Sequence, residues 1–300
     1  MVPNAVLGRS GLNISRIGLG CMSISSSKEH EGVELIRMAL DQGINLLDTA
    51  DLYERGLNEA LVGKALKGIR QKVILATKVG NQWCADGSGW DWNPRKAYIL
   101  KAVDDSLSRL QTDYIDLYQL HGGTIEDSID ETIEAFETLV AQGKVLHYGI
   151  SSIRPNVIRA YVEKSRITSV MLQYSLLDRR PEEAVFDLLQ SKGIGVLVRG
   201  ALAQGLLVDK PPKPYLCHDE ETVRAAQKYL GQEISGTGHP AQRAVGFVLQ
   251  HPSVTSIVAG ASSFGQLQDS LSVFNSSLSE KQGITDIDQF FPPCFYTAHR

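Results

Sequence analysis

The chain predicts an α/β fold of the (β/α)8, or TIM-barrel, class, its bottom closed by a β-hairpin that precedes the first barrel strand. A short run of Val, Ile and Leu ending in polar residues is followed by a longer stretch of helical period, and the couplet recurs about every 30 residues. Eight such couplets within 300 residues favour a closed barrel over an open sheet. Several of the runs, VILATK from Val73 and IDLYQL from Ile115 among them, are apolar nearly throughout, which suits parallel strands covered on both faces by helices.

In chain order, AVLGRSGLNIS supplies two extended pieces around Gly8-Arg9-Ser10-Gly11 and reads as the closing hairpin. The barrel strands follow at Ile17 to Met22, Asn45 to Thr49, Val73 to Lys78, Ile115 to His121, Tyr148 to Ser151, Ser169 to Tyr174, Gly195 to Arg199 and Thr255 to Gly260. Between them, Glu31 to Gln42 sets Val33, Ile36, Arg37 and Leu40 at helical spacing, and Ala97 to Leu110 does the same with Leu100, Val103, Leu107 and Leu110. GLGCMS, from Gly18, lacks the third glycine of a dinucleotide fingerprint and any nearby helix start, so a Rossmann domain loses its support. With no Pro/Ser-rich linker and no shift in composition, residues 1–300 read as one domain.

Thirty Lys and Arg stand against thirty-four Asp and Glu, a net charge of −4 with no basic run, so a nucleic-acid binder is not expected. No apolar run approaches the roughly 20 residues of a membrane span, and the N-terminus lacks the pattern of a signal peptide, which makes cytoplasmic the expected location. The four cysteines, Cys21, Cys84, Cys217 and Cys294, lie far apart and form no C-x-x-C; they read as free thiols, and no metal site is expected.

Two less regular stretches, Asn81 to Pro94 and Asp209 to Asp219, follow the C-terminal ends of strands, the face where barrel active sites assemble. Trp83, Trp90, Trp92 and Tyr215 lie there. Rings so grouped either pin their own loop or line a substrate site, and the sequence leaves both open.

The ends of three consecutive strands carry the chemistry. LLDTADLYERG puts Asp48 at a strand end and Tyr53 in the next loop, ATKVG puts Lys78 one strand over, and YQLHGG puts His121 on the one after. Each alone has an ordinary structural account, but a lysine near a barrel axis needs a counter-charge, and Asp48 is the nearest candidate. The ammonium would then favour phenolate at Tyr53 and lower its pKa from about 10, making it a general acid or base. A neutral His121 would hydrogen-bond the same reacting oxygen. Such a site polarises a carbonyl and protonates the alkoxide that forms, but no side chain supplies hydride, so a nicotinamide or flavin is required. Two late loops suit its phosphates: GALAQGLL, with Gly200, Leu202, Gln204 and Gly205, and AGASSFGQLQDS, with Gly260, Ser262, Ser263 and Gln266.

These residues sit in motifs that resemble those of the aldo-keto reductases, and within them the bacterial branch of NADPH-dependent oxidoreductases that includes general stress proteins. The motifs are GLGCM from Gly18, GINLLDTADLYERGLNEALVGKAL from Gly43, ILATKVG from Ile74, RLQTDYIDLYQLHGG from Arg109, GISS from Gly149, LVRGALAQGLL from Leu197 and IVAGASSFGQL from Ile257. The resemblance, which runs over nearly the whole chain, implies a (β/α)8 barrel, an Asp-Tyr-Lys-His tetrad at Asp48, Tyr53, Lys78 and His121, and a small carbonyl substrate. It implies that Ser151, Ser152 and Gln173 hold the nicotinamide carboxamide, with Ser152 in place of the usual Asn, and that Arg199 stands where many members stack an aromatic ring. The loop after the eighth strand has no basic residue for a 2′-phosphate; NADPH is the expected coenzyme, with NADH as the alternative.

Two other functions fit parts of the pattern. Lys78 at a strand end could form a Schiff base in a lyase, although pairing with Asp48 would keep the amine protonated. A slow, cofactor-holding regulatory subunit would carry the same tetrad. Substrate choice is expected to lie in the two irregular loops and in the tail through Phe290, Phe291 and Phe295.

Overall fold

Alternation along the short apolar runs sends every second side chain into a barrel and the others onto a ring of helices. The computed structural model describes residues 2–231, 239–274 and 291–300; Phe290 lies outside them. An N-terminal pair of strands, β1 (Asn4–Val6) and β2 (Asn13–Ser15), is antiparallel. The barrel strands are β3 (Ile17–Gly20), β4 (Leu46–Asp48), β5 (Ile74–Val79), β8 (Ile115–Leu120), β9 (Val145–Ser151), β10 (Ser169–Gln173), β11 (Gly195–Arg199) and β12 (Val254–Gly260). They pair in parallel in that order, and β12 closes on β3. All eight runs read from the sequence are strands here, within a few residues at their ends. The first stops at Gly20 because Cys21–Ser23 turn into a 3-10 helix.

The helices are α1 (Glu29–Asp41), α2 (Leu57–Leu66), α3 (Lys96–Leu110), α4 (Ile129–Ala141), α5 (Pro155–Lys164), α6 (Val185–Ser191), α7 (Glu220–Gly231), α8 (Pro240–Gln250) and α9 (Phe264–Leu271). Leu47, Leu75, Tyr118, Val170, Val196 and Ile257 join the helices other than α7 in one large buried cluster. Their neighbours one residue away, Leu46, Ala76, Leu117, Met171, Leu197 and Val258, form a separate cluster inside the barrel. At about 1.5–3 kcal/mol per buried aliphatic side chain, a one-residue slip of any strand would forfeit several such burials.

The hairpin plugs the N-terminal end of this interior. Leu7 and Ile14, both fully buried, complete the inner cluster. Arg9 donates to the Ile167 carbonyl at 3.1 Å, Ser256 Oγ to the Ser15 carbonyl at 2.7 Å, and Ser15 N to Asn45 Oδ1 at 2.7 Å. The turn passes so close to β11 that a Cβ on Gly8 (φ +50°) would lie 2.4 Å from Gly195 N and 2.7 Å from the Gly193 carbonyl.

Two features depart from the sequence reading. The tryptophan stretch contains an antiparallel pair, β6 (Asn81–Trp83) and β7 (Trp90–Trp92), where an irregular loop is expected. Cys217 and Cys294 are not free thiols: they form a disulfide, with Cα atoms 5.8 Å apart across 77 residues of sequence. Spacing along the chain reports only local proximity, and the tail returns to the loop after β11. Phe291 packs there with Leu176, Leu177 and Leu206, while the Arg180 guanidinium sits 5.3 Å from the Tyr296 ring centroid. Cys21 and Cys84 are free.

The hairpin yields a paired prediction, because Gly8 and Gly11 (φ +75°) are both left-handed but only Gly8 is hemmed in. Gly11→Ala should cost about 1–2 kcal/mol of unfolding free energy by urea titration, and Gly8→Ala about 3 kcal/mol or more, since the clashing atoms are backbone. Equal losses would mean that the plug is not tightly seated.

Candidate active site

Strand period two puts Asp48, Lys78 and Gln119 on the inner face, one layer above Leu46, Ala76 and Leu117. Lys78 is 1% exposed, and its ammonium has three donors to satisfy. They go to Asp48 Oδ2 at 2.6 Å, the Thr49 carbonyl at 2.8 Å and the Tyr53 hydroxyl at 3.3 Å. Gln119 Nε2 donates to the other Asp48 oxygen at 3.3 Å. Gln119 went unremarked in the sequence, yet it lies two residues before His121 on the same strand face, and that spacing was the available signal.

Burial alone would lower the Lys78 pKa, but the Asp48 carboxylate and the Tyr53 hydroxyl outweigh it and hold the ammonium above its ordinary range. A Schiff-base nucleophile needs the opposite shift. Burial also pushes the Asp48 carboxyl up, against the pull of Lys78 and Gln119.

Tyr53 starts a 3-10 turn in which Glu54, Arg55 and Gly56 have φ of 48°, 57° and 85°. The two non-glycine residues pay about 1–2 kcal/mol each for this left-handed backbone. Neighbours hold them in it. Glu54 accepts from Ser25 Oγ at 2.9 Å and Ser26 N at 2.8 Å. Arg55 donates to the Gly87 carbonyl at 3.1 Å and lies 4.8 Å from the Trp83 ring centroid. Trp83 Nε1 donates to the Leu52 carbonyl at 3.2 Å. The sequence expectation that Lys78 lowers the Tyr53 pKa is corrected here: burial pushes the phenol up, and the ammonium only partly offsets it.

His121 follows β8, its amide donating to the Val79 carbonyl at 2.7 Å. Its ring stands edge-on to Tyr53, centroids 5.8 Å apart. Burial, with the charges of Lys78 and Arg199, pulls its pKa down to about 3, so the imidazole is neutral at physiological pH. Its Nδ1 is buried without a partner among the described residues.

Behind the site, fully buried Glu59 accepts from Thr77 Oγ1 at 2.6 Å and pairs with Arg109 at 2.6 Å. Asp51, also absent from the sequence reading, is buried with one oxygen unpartnered among the described residues, and burial with the nearby Glu59 charge pushes its pKa up to about 7.

Around the ring from His121, the ends of β9, β10 and β11 present Ser151, Gln173 and Arg199, whose side chains take no hydrogen-bond partner among the described residues. Ser152 is partly committed, its Oγ accepting from Arg154 N at 3.2 Å. Arg199 is close enough for its charge to act on Asp48, Tyr53 and His121. The following loop, with Leu202 within it, has positive φ at Gly200, Ala203, Gln204 and Gly205. Gly260 ends β12, and Ser263 caps α9 by accepting from Gln266 N at 3.3 Å. Ser262 N donates to Gln266 Oε1 at 2.9 Å, and the side-chain Nε2 of Gln266 has no partner among the described residues. Unpaired polar groups in a row at strand ends, beside a loop of this backbone form and a helix start, fit a nicotinamide dinucleotide.

The tryptophans divide. Trp83 braces the Tyr53 turn, as above. Trp92 is a pin: its Nε1 donates to both Asp127 oxygens at 3.0 and 3.1 Å, and a Cβ on Gly80 would meet its ring at 2.6 Å. Trp90 is 50% exposed.

Comparison with known proteins follows the same lines. Residues 16–290 match the profile of the Aldo/keto reductase family. YqkF of Bacillus subtilis (strain 168), described as an uncharacterized oxidoreductase, is 46% identical over 303 residues, 98% of each chain. The holo form of aldo-keto reductase AKR11C1 from Bacillus halodurans is 46% identical over 100% of both chains, with a TM-score of 0.91. An aldo/keto reductase from Klebsiella pneumoniae, solved in complex with NADP and acetate, is 26% identical over 100% of this chain and 99% of its own, with a TM-score of 0.78.

The buried pair gives a stability prediction. Lys78→Met should cost about 3–5 kcal/mol, because the Asp48 charge is left buried and unpaired, and the double variant Lys78→Met/Asp48→Asn should recover much of that loss. Additive losses in denaturant titrations would mean that the two charges are not coupled.

Proposed function

Because this chain belongs to the aldo/keto reductase family, we propose that it reduces the carbonyl of a small aldehyde or ketone to an alcohol, with Tyr53 as the proton donor and NADPH as the coenzyme. The observation that carries this is the Lys78 ammonium bonded at once to Asp48 Oδ2 and to the Tyr53 hydroxyl, at 2.6 and 3.3 Å, with the His121 ring edge-on to Tyr53, centroids 5.8 Å apart.

A carbonyl oxygen between Tyr53 and His121 accepts from the phenol and from the neutral imidazole, which aligns the carbonyl. A nicotinamide held at this site would supply the hydride. Tyr53 gives its proton to the developing alkoxide, and the third Lys78 donor stabilises the phenolate left behind. Asp48, held by Gln119, keeps the lysine protonated throughout. Ser151, Ser152 and Gln173 would hold the carboxamide, and the Gly200–Gly205 loop with Gly260, Ser262, Ser263 and Gln266 would hold the phosphates. The NADP in the Klebsiella relative supports NADPH over NADH. Arg199, a cation beside the place a nicotinamide would take, would disfavour the oxidised, positively charged ring and bias the enzyme toward reduction. The reading includes a cytoplasmic location; no helix among the described residues is long and apolar enough to cross a membrane.

Tyr53→Phe should lower aldehyde reduction, followed as loss of NADPH absorbance, by about 10²- to 10⁴-fold while NADPH still quenches tryptophan fluorescence. Undiminished turnover would refute the proton-donor role, and a wild type that binds NADPH yet turns over no aldehyde in a broad panel would point to a regulatory subunit. With the Tyr53 pKa raised and that of His121 near 3, both groups keep the required protonation state through neutrality. The rate of the chemical step should therefore be level through neutrality and fall only in alkali, as Tyr53 ionises at a pH higher than an ordinary tyrosine does. An inflection near the ordinary histidine pKa of about 6.5 would contradict the assignment of His121. Arg199→Ala should weaken NADPH binding more than NADP⁺ binding in the same titration; equal losses would remove its proposed bias.

A further inference from the structure

The loop after β11 and the C-terminal tail converge on three side chains that the proposed reaction does not use. Cys217, His218 and Cys294 each direct a sulfur or ring nitrogen to one point, all within 4.8 Å of one another. We propose that in the dithiol state of the protein these residues form a three-ligand site for a soft divalent cation, with zinc the ion they suit best, and that the disulfide is the closed, metal-free form of the same site.

The ligand set comes first. Two thiolates and an imidazole are the donors zinc prefers among common cations, and three protein ligands with a fourth position left to solvent is a recurrent zinc arrangement. Geometry agrees. Tetrahedral zinc with usual bond lengths spaces a sulfur and a nitrogen by about 3.5 Å and two sulfurs by about 3.7 Å. Cys294 Sγ and His218 Nε2 are already 3.4 Å apart, so the atom that has to move is Cys217 Sγ, away from Cys294 and toward His218, within a cluster already no wider than 4.8 Å.

The scaffold is built as well. Tyr215 N donates to the His218 carbonyl at 2.9 Å, and His218 N to the Tyr215 carbonyl at 3.0 Å. Leu216 inside this turn is left-handed, φ 55°, which holds Cys217 and His218 on one short, fixed segment. The His218 ring is turned into this pocket already, its Nε2 facing Cys294 Sγ at 3.4 Å. His218 and Cys294 are buried at 6% and 4% exposure, while Cys217 is open to solvent and gives the ion its entry and its fourth position.

The chemistry balances. Binding replaces two S–H bonds by two metal–sulfur bonds and releases two protons. A low-molecular-weight disulfide, taking two electrons, closes the protein S–S bond, leaves as two thiolates and expels the ion. In either state the loop that follows the Gly200–Gly205 segment stays fastened to the tail.

The full-length protein, reduced with a phosphine under inert gas, should be given zinc chloride, desalted and assayed for metal by mass spectrometry. About one zinc per chain is expected in the reduced wild type, and almost none in the oxidised protein or in Cys294→Ser. Cobalt in place of zinc should give thiolate-to-metal absorption in the near ultraviolet, and His218→Ala should weaken binding at least about tenfold. NADPH quenching of tryptophan fluorescence checks that each variant is folded. Zinc uptake by the reduced wild type no greater than that of Cys294→Ser overturns the proposal, as does a disulfide that thiol titration shows to stay closed under the phosphine. Neither readout depends on carbonyl reduction, so the site and the proposed function stand or fall separately.

Discussion

An ammonium removed from water inside a barrel loses several kcal/mol of solvation, and only a nearby negative charge with a full set of hydrogen-bond acceptors makes its burial tolerable. At Lys78 the requirement shapes everything around it. Asp48 supplies the charge, the Thr49 carbonyl takes a second donor, and the third reaches Tyr53. The phenol is therefore at the site because the ammonium needs it, as much as because a reaction would. Asp48 has a matching need, and Gln119 meets it by occupying the oxygen that Lys78 leaves free.

The barrel was legible in the sequence because its strands are buried on both faces and its helices on one, so two periodicities alternate along the chain. The grouping of Asp48, Lys78 and His121 was legible for a related reason: strand-end residues project at the same face, and these three lie at the ends of three strands that pair side by side. What escaped was set by contacts between distant segments. Gln119 is an ordinary polar residue until β8 lies beside β5. The Cys217–Cys294 bridge depends on the tail folding back across 77 residues, which no local spacing announces.

The Tyr53 pKa shows a different kind of blind spot. From sequence, the neighbouring cation is visible and the depth of burial is not, so the cation seems to decide the sign. In the structure both act, and burial wins. At His121 burial and the cations push the same way, and the expectation of a neutral imidazole agrees with the structure. Charge neighbours can be guessed from a pattern of residues, whereas desolvation is a property of the whole fold.

Backbone strain follows the same division between the two ends of the barrel. Of the seven non-glycine residues with positive φ among the described residues, Glu54, Arg55, Ala203, Gln204 and Leu216 lie in loops at the C-terminal face. At about 1–2 kcal/mol each, this is strain comparable to the net stability of a domain. The N-terminal end meets its tightest demand with a glycine, Gly8, and seals the interior with apolar side chains. A barrel can hold its loops in costly conformations on one face when the other is closed and regular. The strained residues here are those that support Tyr53, form the loop beside Arg199 and hold the Cys217–His218 pair, where geometry matters more than local comfort.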